Sequence, residues 1–112
     1  MMRQIQHQLH VRPTIPDLVE ITGAITIWLD DQSLDSGLLT LFIGHTSASL
    51  IIQGNVSPDD MPSHIKGALT QTHLNVPISE GRLMLRHYQG VILFEHCRSP
   101  REREVFLHLM GF

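Results

Sequence analysis

Residues 3–11 alternate between apolar and polar positions, with Ile5, Leu9 and Val11 on one side and Gln4, Gln6, Gln8 and His10 on the other. A period of two is that of a strand half covered by a core, and the glutamines on the open side predict an edge position. Arg12-Pro13-Thr14-Ile15-Pro16-Asp17 is a proline-punctuated connection. From Thr22 the spacing becomes helical: Ile25, Trp28 and Leu29 recur on one face, Thr22 is a candidate N-cap, and Ser36-Gly37 is a stop.

Residues 38–43 and 48–52 are apolar and rich in β-favouring types, which predicts two strands, or one long bent strand, around His45-Thr46-Ser47. A loop at 53–58 leads into a predicted helix from Pro58 through His73, with Asp59 and Asp60 at the positive end of its dipole. The rest reads as an antiparallel meander. It comprises Val76-Pro77-Ile78, a turn at Ser79-Glu80-Gly81, residues 83–87, a break at Gln89-Gly90, residues 91–97, a turn at Arg98-Ser99-Pro100, and residues 105–110. Six or so strands and two helices predict a single α+β domain over residues 1–112, an antiparallel β-sandwich with about two flanking helices.

Composition narrows the partners. Of the 112 residues, 42% are hydrophobic and 17% charged, enough apolar material for a core and no sign of disorder. The formal net charge is −3, and Lys66 is the sole lysine, so no basic stripe is available for a nucleic-acid backbone. No run approaches the roughly 20 apolar residues that cross a bilayer, and no leader-like segment opens the chain. The lone Cys97 forms no intrachain disulfide, which suits a reducing compartment; cytoplasm is the expected location. Eight histidines make the charge pH-sensitive, turning positive below about pH 6.

Several strings, in order, carry a resemblance: His45-Thr46-Ser47-Ala48-Ser49-Leu50; Asp59-Asp60-Met61-Pro62-Ser63-His64-Ile65-Lys66; Val76-Pro77-Ile78 with Gly81-Arg82-Leu83; Tyr88-Gln89-Gly90-Val91; and Phe94-Glu95-His96. Together they resemble the YjbQ-like family, described as a secondary thiamine-phosphate synthase family. Two departures stand out. The family's segment between the loop after the first string and the second, with a further histidine, is absent here. The family's leucine-glycine-threonine-tryptophan-glutamine stretch becomes Leu85-Arg86-His87-Tyr88-Gln89, and Gly54 stands for a loop glutamate. The resemblance implies a homotrimeric α+β sandwich, histidines near subunit boundaries, and a weak thiamine-phosphate synthase activity. That transfer joins a pyrimidine methyl diphosphate to a thiazole phosphate and releases diphosphate, whose departing charge needs cations around it.

Candidate residues come from both readings. His45 ends an apolar strand beside Thr46, Ser47 and Ser49, a polar pocket in the making; the plainer alternative is a histidine bonded to a backbone carbonyl. His64 falls in the second turn of the predicted helix, where it is either a ligand or a surface residue. With the resemblance, His45, His64 and Gln89 are the expected catalytic set. A divalent ion, zinc or magnesium, is the expected cofactor, and His45, His64 and His87 are its ligands; catalytic zinc sites normally use three protein ligands. Thr46, Ser47, Ser49, Arg86, Arg101 and Arg103 are expected to contact a phosphorylated small molecule, the arginines through paired N–H donors. The arginines near residue 101 read equally well as a solvated turn balanced by Glu102 and Glu104. Asp59 and Asp60 suit either a magnesium ion or a helix start. Glu95 and His96 face opposite sides of a strand and cannot act as an adjacent pair. The competing functional class is a non-catalytic binding or structural homotrimer whose chemistry left with the missing segment.

Overall fold

The alternating N-terminal segment is a strand, and it lies at a sheet edge, where its glutamines face water. The computed structural model describes residues 1–12, 18–44, 48–54, 72–87, 89–95 and 102–112. Five strands form one antiparallel sheet in the order β1 (Arg3–Val11), β8 (Arg103–Gly111), β3 (Gly37–Ile43), β5 (His73–Ser79) and β6 (Arg82–Leu83). Three form another: β2 (Leu18–Glu20), β7 (Gln89–Glu95) and β4 (Ala48–Gly54). One helix, α1 (Thr22–Asp30), links β2 to the larger sheet. The expected α+β sandwich is what these residues form.

Alternation decides which side chains meet between the sheets. Val105, Leu107 and Leu109 of β8 are buried beside Leu39, Leu41 and Ile43 of β3. Leu50 and Leu93 come from the smaller sheet, and Ile25 and Leu29 from the helix. Each such side chain contributes about 1.5–3 kcal/mol when withdrawn from water. β7 is buried on both faces, as befits the central strand of its sheet.

Four expectations are corrected. Thr22 is not the N-cap: Ile21 holds that position, and the Thr22 hydroxyl instead accepts the Val91 N–H at 2.7 Å. The helix is thereby fixed to β7 rather than capped by its own side chain. The meander ends after its first hairpin, because β7 joins β2 and β4 while β8 returns between β1 and β3. Residues 84–87 lie outside the sheet, and β6 has only two residues. Pro77 explains this, since it has no N–H to extend the ladder and its carbonyl takes the last bond, from the Met84 N–H at 2.9 Å. Finally, His73 belongs to β5 rather than to the end of a helix. Thr72 is not helical either, and residues 58–71 of the helix predicted from Pro58 lie outside the described residues.

The β5–β6 hairpin sets the position of a charged side chain. Its two-residue turn has Glu80 at φ 54° and Gly81 at φ 76°, the left-handed pair that matches strand twist in tight hairpins. This places Arg82 directly opposite Ser79, facing the flank of α1.

Candidate functional site

Helix α1 presents two stripes. Ile21, Ile25 and Leu29 enter the core, and next to them Thr22, Thr26 and Asp30 line the floor of an open groove of about 380 Å3. Leu83 and Leu85 give the opposite wall an apolar surface, and Arg82, Arg86 and His87 stand along its rim. Gln89 closes one end.

The rim is built by a small local device. The Gln89 N–H donates to the Arg86 carbonyl at 2.8 Å, and the Gln89 side-chain oxygen accepts the Arg86 N–H at 3.0 Å. This reciprocal pair fixes the turn that carries Arg86 and His87, and it leaves the two amide N–H donors of Gln89 for other acceptors. Both Arg82 and Arg86 are exposed, and among the described residues neither guanidinium makes an ion pair or hydrogen bond.

A different arrangement holds at the other end of β7. Arg103 and Glu95 are buried between the sheets, and the guanidinium grips the carboxylate with Nε and Nη2 at 2.7 and 2.6 Å. Arg103, expected in a cationic corner on a turn, is thus an inward-facing residue of β8 whose fork is occupied by a carboxylate. Ser49 is buried on the opposite face of the smaller sheet, one register position from the Ala48–Glu95 pair. Six residue steps along β7, about 20 Å of strand, separate this end from the groove. Arg86 and Arg103 therefore do not share a phosphate.

The expected site set is accordingly divided. Arg86, His87 and Gln89 come together; Ser49 and Arg103 lie at the other end; His45, Thr46, Ser47, His64 and Arg101 lie outside the described residues. Among the described residues no group of three or more His, Cys, Asp or Glu side chains could hold a metal ion. Arg82, Thr22, Thr26 and Asp30 are groove residues that the sequence reading missed. The signal was present, since 22, 26 and 30 repeat at the helical interval beside the apolar stripe.

The sequence profile described as "UPF0047 protein YjbQ-like" matches residues 7–59 and 57–112. The chain belongs to this family. A UPF0047 protein of Synechocystis is 36% identical, covering 97% of this chain and 93% of the relative. That alignment runs over 137 positions against 112 residues here, so the relative has residues this chain lacks. The two profile matches meet at residues 57–59, where the shortening was read from the sequence. The YjbQ protein of Salmonella typhimurium is 33% identical over 81% of this chain and 86% of its own length.

Solved structures agree in fold. A protein of unknown function from Sulfolobus solfataricus superimposes with TM-score 0.84 over the whole of both chains at 18% identity. A conserved hypothetical protein of Thermus thermophilus does so with TM-score 0.72 at 28% identity, covering 90% of this chain and 97% of that one. No described helix is long and apolar enough to cross a membrane.

Proposed function

We propose that this YjbQ-like protein binds a phosphorylated small molecule in the groove between α1 and the segment that carries Arg82, Arg86 and His87. The observation that carries this reading is the placement of Arg82 and Arg86, two guanidiniums with no partner among the described residues, on one rim beside His87 and Gln89. Guanidinium is always charged and offers planar N–H pairs that match phosphate oxygens, and Thr22 and Thr26 add hydroxyls on the facing side. Weak thiamine-phosphate synthase-type transfer belongs to the same proposal. The rim arginines would hold the diphosphate as its charge develops. The second reading, binding without turnover, is favoured by the shortening of the chain relative to the Synechocystis protein.

The proposal includes a homotrimer. Its support is the outer face of the larger sheet, where Leu38, Phe42, Phe106 and Met110 are exposed on β3 and β8. Between these apolar rows runs a polar one, Gln6, His108, Thr40 and Asn75.

The deciding experiment is a thermal melt with inorganic phosphate, diphosphate and thiamine phosphate. A ligand at a hundred times its dissociation constant adds about 2.7 kcal/mol of stability, and the melting temperature should rise accordingly. No shift with any of the three would remove the binding reading. Turnover of the two thiamine precursors, followed by diphosphate release, separates transferase from binder. Sedimentation equilibrium giving a monomer would remove the homotrimer.

A further inference from the structure

The larger sheet ends at β1, which pairs with β8 along its whole length, from Arg3↔Gly111 to Val11↔Arg103, with no bulge. Among the described residues nothing pairs with the other side of this strand. A long open edge is a template for a further strand, and proteins usually blunt it with lysine, proline, a bulge or brevity. Two other edges use brevity, since β6 has two residues and β2 three. β1 has nine residues and none of these devices.

Its ionisable side chains are engaged within their own chain. Arg3 donates from Nη1 to the Gln32 carbonyl at 2.6 Å, and the His7 ring stacks on Trp28 with centroids 5.2 Å apart. His10 pairs with Glu102 at 3.1 Å, and Arg12, just beyond the strand, reaches the same carboxylate at 3.3 Å. These contacts draw the groups toward α1 or the start of β8. The other side chains are Gln4, Gln6 and Gln8 on the outer face and Ile5, Leu9 and Val11 against the core.

The pattern is complementary to itself. Laid antiparallel on a copy about His7, the strand sets Gln6 against Gln8, Ile5 against Leu9, Gln4 against His10 and Arg3 against Val11. Glutamine amides hold both donors and an acceptor and can bond one another. Apolar residues meet on the core side, and neither arginine faces arginine nor any carboxylate is left opposite an apolar residue. A two-fold contact requires this match of a surface to itself. Length points the same way, because the next longest edge, β4, has seven residues and the others two or three. We infer that β1 pairs antiparallel with β1 of a second copy, joining the two larger sheets into one continuous sheet across an axis at His7. This contact is separate from the outer sheet face that supports the homotrimer. With that trimer it makes a pair of trimers, and without it a dimer.

The test is sedimentation equilibrium of the full chain over a range of concentrations at low salt. The unsubstituted protein should reach an even number of copies. Gln6→Lys with Gln8→Lys sets cation against cation on both sides of the axis and should raise the dissociation constant of the pair about tenfold. Gln6→Lys with Gln8→Glu sets opposite charges there and should restore pairing. A monomer or a lone trimer at every concentration would overturn the inference, as would equal association of the two doubly substituted chains. Hydrogen exchange on the unsubstituted protein reads the main chain and does not depend on how the variants fold. Alternate amides of β1, those turned away from β8, should be protected in the associated form; free exchange of these amides there would overturn the inference as well.

Discussion

Arg103 and Glu95 join the two sheets through a buried, two-pronged ion pair with contacts of 2.7 and 2.6 Å. One partner lies on β8 of the five-stranded sheet and the other on β7 of the three-stranded sheet, at the edge of an otherwise apolar interior. Two charges brought out of water recover part of the lost hydration through each other, so removing one weakens the compensation of the other. Arg103→Met or Glu95→Gln should each cost about 3–5 kcal/mol, and Arg103→Met with Glu95→Leu should recover most of it. Urea unfolding of the three variants checks this. Single losses below about 1 kcal/mol would mean that the pair contributes no more than an exposed one.

That pair also marks a limit of sequence reading. Arg103 shares its strand parity with Val105, Leu107 and Leu109, so its inward direction was legible. Its neighbours Arg101, Glu102 and Glu104 made the stretch look like a solvated turn instead. Glu95 likewise comes after the apolar run from Val91, yet nothing local reveals that its partner lies on the other sheet. Edge strand β1, the α1 core stripe and the α+β class were readable because each depends on local periodicity. The assignment of β7 to the smaller sheet was not, because a strand's neighbours are decided by packing between segments far apart in the chain. For the site, Arg86, His87 and Gln89 are near neighbours in sequence and line one groove. Arg82 and Asp30 join them only after the hairpin folds back on the helix.

Gly37 and Gly111 face each other where β3 meets β8. A Cβ on Gly37 would lie 2.1 Å from the Met110 carbonyl oxygen, and one on Gly111 would lie 2.1 Å from that of Ser36. The obstacle is backbone on both sides and has no flexible end to swing away. Gly37→Ala should therefore destabilise by about 1–3 kcal/mol or more. Gly23 on α1 is the opposite case, with nothing within 4 Å of its Cβ direction, and Gly23→Ala should stabilise by about 0.4–1 kcal/mol. Thermal melts of the two alanine variants should move in opposite directions; a shared direction would contradict the backbone contact or the open space.

Thr22 fixes the start of the helix by accepting the Val91 N–H at 2.7 Å, and it also lines the groove. Thr22→Val keeps the shape and removes the acceptor, leaving a backbone donor of a buried strand residue without its partner. The expected loss is about 1–3 kcal/mol. Hydrogen exchange gives the specific readout, since the Val91 amide should lose protection more than the Leu93 amide does. Equal changes at both would indicate general loosening rather than loss of this bond.

Phosphate binding at the groove rim should not depend on a divalent metal, because Arg82 and Arg86 supply the positive charge themselves. Prolonged dialysis against a chelator is expected to leave the affinity for inorganic phosphate unchanged. Arg86→Gly should weaken it about tenfold to a hundredfold, the loss of one charge-assisted contact of roughly 1.5–3 kcal/mol. Both guanidiniums are exposed, so the affinity should also fall as salt shortens the screening length from about 10 Å at 0.1 M to about 3 Å at 1 M. His87→Ala separates the alternatives on the same rim. If the imidazole acts only as a neighbour, its removal changes binding much less than loss of Arg86. If binding instead disappears with chelator, returns with zinc or magnesium, and is abolished by His87→Ala but not by Arg86→Gly, the site is a histidine-held metal and the guanidinium reading fails.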